Sequence, residues 1–92
     1  MQQEQEIRFG NSKKCVLKLD EGGVQPDADP ELTLSRYPIR GLEQGELFIA
    51  VTRTSVPAIV KVEADERGTG LQPDEIEQIR KSAEGIFRSK VG

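Results

Sequence analysis

The sequence predicts an α+β fold: a small antiparallel β-sheet or partial β-sandwich of four to five strands, followed by one C-terminal amphipathic helix. Three observations carry this. Apolar residues alternate in "KCVLKLD" and "AIVKVEA", which is the period of a strand, and "ELFIAVTR" is a short run apolar on both faces. Gly, Pro and Asp gather in the stretches between these runs. Beyond Gly68 and Gly70 the period lengthens to about 3.6 residues, and Ile76, Ile79, Ala83, Ile86 and Phe87 fall on one stripe about 100° wide.

The 92 residues make one domain, with residues 1–5 expected to fray, 6–70 to be β-rich and 71–90 to be helical. "EIRF" reads as a short strand with Ile7 and Phe9 on one face, and "NSKK" as a turn. "KCVLKLD" places Cys15, Leu17 and Leu19 on one face, Val16 and Lys18 on the other. "DEGGVQPDADPE" has the chemistry of a loop. Leu32 and Leu34 suggest a short strand, and "SRYPIRGLEQGE" a return to turns. "ELFIAVTR" is apolar on both faces and belongs inside the sheet. "TSVP" ends it. In "AIVKVEA", Val60, Val62 and Ala64 oppose Lys61 and Glu63. The short connection between these two strands predicts an antiparallel pair.

The helix start is legible residue by residue. Gly68 and Gly70 tolerate the positive φ of a turn. Pro73 suits the first helical position, where its missing N–H costs nothing. Gln72 is then the N-cap, and Leu71 and Ile76 have the spacing of a hydrophobic staple. Asp74, Glu75 and Glu77 lie near the positive end of the helix dipole, Arg88 and Lys90 near the negative end. Glu77–Lys81 and Glu84–Arg88 have the spacing of favourable pairs. Gly85 marks either close packing or a weak point.

Composition narrows the function. The apolar fraction is 35%, so the core is thin and a partner or second copy would help to cover it. The net charge of −3 comes from 13 basic and 16 acidic residues with the signs interspersed. There is no basic stripe, and Phe9, Tyr37, Phe48 and Phe87 are the only aromatics, which argues against nucleic acid. Cys15 stands alone, so no intramolecular disulfide forms. The opening "MQQEQEIRFG" lacks the pattern of a signal peptide, and the longest apolar run is too short to span a membrane. A cytoplasmic location is the expectation.

Several stretches resemble the peptide-binding β-domain of the heat-shock-seventy chaperones and the start of its helical lid. "AIVKVEADERGTG" is similar to a late strand and turn of that domain, and "LQPDEIEQIRKSAE" to the first turns of the lid. "ELFIAVTR", "YPIRG" and "VLKLDEGG" are similar to earlier strands and turns. The order agrees over about residues 14–87. Pro57-Ala58 departs from the family's Asn-Gly hairpin, and the strand between Gly-Thr-Gly and the lid has no counterpart. The resemblance implies a truncated β-domain with its helix, and binding of extended peptides. It carries over neither ATP hydrolysis nor any matched peptide-contact residue.

Candidate sites are few. Cys15 follows two lysines, which favour a reactive thiolate, but alternation sets it beside Leu17 and Leu19 as a core residue. Asp27, Asp29 and Glu31 alternate like calcium ligands, yet Pro30 and Leu32 break the loop pattern a calcium site needs. Without histidine and with one cysteine, zinc is excluded. Gly68-Thr69-Gly70 precedes a helix as phosphate-binding turns do, but Asp65, Glu66 and Asp74 surround it, so a plain turn is the better reading. No carboxylate pair is marked out for acid–base work, and no cofactor is implied. The sequence therefore points to a non-catalytic module that binds an extended peptide or partner protein. The predicted site is an open edge along Cys15, Val16, Leu17, Lys18 and Leu19. A self-associating homodimer is the alternative.

Overall fold

The computed structural model describes residues 4–25 and 32–89. The strands are β1 (Glu4–Phe9), β2 (Lys13–Lys18), β3 (Gly23–Gln25), β4 (Leu32–Arg40), β5 (Glu46–Ser55) and β6 (Ala58–Arg67); the helix is α1 (Pro73–Ser89). All pairings are antiparallel, in the order β1-β2-β4-β5-β6, with β3 joined to β4 beside β2. α1 packs against β1 and β6, the two ends of that path, so the sheet curls around the helix. The α+β expectation holds, as one curled sheet rather than two stacked ones.

The alternation seen in the sequence sets the core. Ile7, Phe9, Cys15, Leu17, Ile39, Leu47, Ile49, Val51 and Val62 point to the inside of the curl and meet Ile79, Ala83 and Phe87 of α1. Val60 and Ala64 pack partly against this cluster, while Lys61 and Glu63 are exposed, as the strand period requires. Tyr37 of β4 meets Phe87 with ring centroids 5.0 Å apart. On the opposite face Arg36 lies 4.6 Å over the Phe48 ring and donates to Asp65 at 2.6 Å, bridging three strands.

Four elements depart from expectation. β1 begins at Glu4, so residues 4 and 5 are paired rather than frayed. The strand expected over "KCVLKLD" ends at Lys18, and a 3-10 turn, Leu19–Glu21, leads into the stretch expected to be a loop, which holds the short strand β3. β6 continues past Ala64 to Arg67. The largest change is β4, which runs unbroken through Pro38 where a turn was expected. On one side β4 pairs with β3 over Leu34 to Arg36 and with β2 over Ile39 and Arg40. Pro38 falls at the changeover, where a residue without an N–H breaks no ladder on that side. Asp27, Asp29 and Glu31 lie outside the described residues, as does Lys90.

α1 starts as predicted. The Gln72 carbonyl accepts the first helical bond, from the Ile76 N–H at 3.0 Å. Glu75, at the third helical position, accepts from the Gln72 N–H at 3.0 Å, which is half of a capping box. Glu84 pairs with Arg88 at 3.9 Å, whereas Glu77 takes Arg80 rather than Lys81. Gly85 is exposed, and a Cβ built there meets nothing within 4 Å. It is a weak point and not a packing requirement. Gly85→Ala is expected to stabilise the chain by about 0.5–1 kcal/mol, seen as a higher midpoint in chemical denaturation.

Candidate functional site

The edge predicted on β2 is not an edge. β2 lies between β1 and β4. It pairs with β1 along its whole length, and Val16 and Leu17 also pair with Arg40 and Ile39. Cys15 and Leu17 are buried in the core, and burial pushes the Cys15 thiol up to about 11, away from nucleophilic use. Lys18 donates to Glu4 at 2.7 Å and lies within 4 Å of Asp20 and Glu21; the Glu4 bond foremost raises its pKa. Leu19 belongs to the 3-10 turn and packs partly against the core. The reason for the correction is β4: its passage through Pro38 brings Ile39 and Arg40 to the side of β2 that the sequence had left open.

The path ends instead at β1 and β6. At β1 the helix intervenes: the Gly10 N–H donates to the Gln78 amide oxygen at 2.8 Å, and Lys13 donates to Glu75 at 2.9 Å. At β6 the helix covers part of the strand. Arg80 donates to the Val62 carbonyl at 3.2 Å while Glu77 and Glu84 hold the same guanidinium. Residues 58–61 continue beyond this contact, and among the described residues no strand pairs with them on the side away from β5. Val56 and Ile59, 76% and 53% exposed, are the exposed large hydrophobic residues among those described, and both sit at this end. Register sets Ile59 beside Thr54 and Thr54 beside Leu32, so the three form one cross-strand row. Lys61 follows, its ammonium 2.9 Å from Glu63.

Within the Gly68-Thr69-Gly70 turn, the donors of Thr69 are used internally. The Thr69 N–H and hydroxyl donate to the Glu66 carboxylate at 2.8 and 2.7 Å, and the Leu71 N–H donates to the Thr69 hydroxyl oxygen at 3.3 Å. These bonds hold the Glu66 carboxyl below its ordinary range. The Gln72 N–H and Lys13 do the same for Glu75, and Arg80 for Glu77. An incoming phosphate would have to displace a carboxylate already seated on the turn. Among the described residues no three of His, Cys, Asp and Glu are grouped to hold a metal, and no helix is long and apolar enough to cross a membrane.

Glu75 is the residue that sequence reading undervalued. The signal was present, since an N-cap followed three residues later by Glu is half of a capping box. Its second role, receiving Lys13 across the β1–β2 hairpin, depends on tertiary contact and has no local signature.

No protein-family model, curated protein or solved structure matches the chain. What the structure defines is a small α+β domain with a curled sheet around one helix and, among the described residues, a last strand whose end pairs only with β5.

Proposed function

We propose that the chain is a non-catalytic binding module that takes an extended segment of a partner polypeptide as an added strand along residues 58–61 of β6. One observation carries this reading: the uncovered end of the terminal strand coincides with the exposed apolar residues Val56 and Ile59. The main-chain groups of a terminal strand bind any extended segment, and the side chains beside it select which. Ile59, in a row with Thr54 and Leu32, favours a segment with apolar residues at every second position. Lys61 keeps the edge from uncontrolled pairing. The resemblance to the chaperone peptide-binding β-domain supports the same class of ligand, and the lone, buried Cys15 accords with a cytoplasmic setting.

Ile59→Asp tests it. Because Ile59 is exposed, the variant is expected to stay within about 0.5 kcal/mol of the parent in stability. It is expected to lose affinity for extended apolar peptides about tenfold or more, measured by fluorescence anisotropy on a labelled peptide set. Unchanged peptide affinity would rule out this edge. If no peptide bound, and the parent sedimented as a dimer that Ile59→Asp dissociates, the strand would be a self-association surface instead.

A further inference from the structure

The β1–β2 turn holds charges that peptide binding at β6 does not use. Arg8 and Lys14 are directly opposite each other in register, so both side chains leave the same face of the hairpin. Like charges so placed repel and weaken the pair. Lys13 is the adjacent residue. The three cations line one cleft of about 550 Å³ together with Phe9, Ser12 and Gln78; among the described residues no carboxylate lines it, and Glu75 reaches it through Lys13 at 2.9 Å. Arg8 reaches Glu6 at 3.4 Å, but the Arg8 side chain is 86% exposed, so that pair is weak. Lys13 is held by Glu75. Lys14 has no ion pair among the described residues.

The turn is fixed in this arrangement. Gly10 and Ser12 both have positive φ, 57° and 61°, and the Gly10 N–H is tied to Gln78 of α1. A serine in the left-handed region is uncommon. Here it sits in the turn that brings the cations together. A second cleft of about 460 Å³ shares Ser12, Lys13 and Lys14 and extends to Leu42 and Leu71; Glu43 also lines it and disfavours a further negative group there.

We propose that this cleft binds a doubly charged oxyanion of the phosphate class, either inorganic phosphate or a small phosphate monoester with an uncharged organic part. The dianion sits between Arg8 and Lys14, removes their mutual repulsion and accepts charge-assisted hydrogen bonds from both. The organic part of a monoester occupies the second cleft, toward Leu42 and Leu71. Catalysis is not involved.

The whole chain, labelled with nitrogen-15, is titrated with sodium phosphate and then phenyl phosphate, with sodium chloride at matched ionic strength as control. The expected result is saturable shifts at Gly10, Ser12, Lys13, Lys14 and Gln78, with an affinity about tenfold lower in Lys14→Gln. Tighter binding of phenyl phosphate identifies a monoester as the natural class, and equal binding identifies inorganic phosphate. In anion-free buffer Lys14→Glu is expected to melt higher than the parent and to lose the rise in melting temperature that phosphate gives the parent. Shifts that grow without saturating, equally strong at Arg53, Lys61 and Lys81, would mean only charge screening and would overturn the site. So would a Lys14→Gln variant that binds phosphate as the parent does.

Discussion

Replacing Ile79 by alanine is expected to destabilise the chain by about 2–4 kcal/mol, read from equilibrium denaturation. Ile79 is fully buried where α1 meets the inside of the curl, flanked on its own stripe by Ala83 and Phe87. Truncation removes its transfer energy and leaves a cavity that a curled sheet cannot readily collapse to fill. A small domain has little stability in reserve, so the loss takes a large share of the total. Ile76, half-buried on the same stripe, is the internal control, and its alanine variant should lose clearly less. A loss below about 0.5 kcal/mol at Ile79 would mean that the helix does not close the core in solution.

Gly45→Ala is expected to cost about 2–4 kcal/mol for a different reason. Gly45 has φ +72°, in the left-handed region. A Cβ there would overlap the Arg67 and Gly68 carbonyl oxygens, which are backbone and cannot swing aside. The close approach is where the start of β5 passes the turn that leads from β6 to α1. Gly68→Ala separates the two causes: Gly68 also has positive φ, 66°, but a Cβ there meets nothing within 4 Å. It should therefore show only the backbone cost, about 1–2 kcal/mol. Equal losses at the two positions would remove the steric part of the explanation.

The elements legible in the sequence were those whose signal is local. The pairing of "ELFIAVTR" with "AIVKVEA" followed from one run apolar on both faces, one alternating run and a short connection, and it is the longest ladder among the described strands. The helix followed from Pro73, the acidic first turn and the Ile79, Ala83 and Phe87 stripe. What failed was non-local. Pro38 and the turn-like residues around it suggested a break, but β4 is held straight by β5 along seven register pairs. That one strand then covered part of β2, where Cys15, Val16, Leu17, Lys18 and Leu19 had been expected to lie open. The burial of Cys15 and Leu17 could be read from alternation. The neighbour of β2 could not, because strand order depends on contacts far apart along the chain. The Arg8 and Lys14 juxtaposition has the same character: neither residue is notable until register sets one opposite the other.

The central claim is that partners dock as a strand on residues 58–61 of β6. Amide chemical-shift mapping during titration with an extended peptide of alternating apolar residues tests it most directly. The account predicts the largest perturbations, and slowed amide exchange, within residues 58–61, with smaller changes at Val56 and Thr54 and none at Cys15 or Leu17. Perturbations centred on β2, or spread over α1 while residues 58–61 stay unchanged, would contradict it.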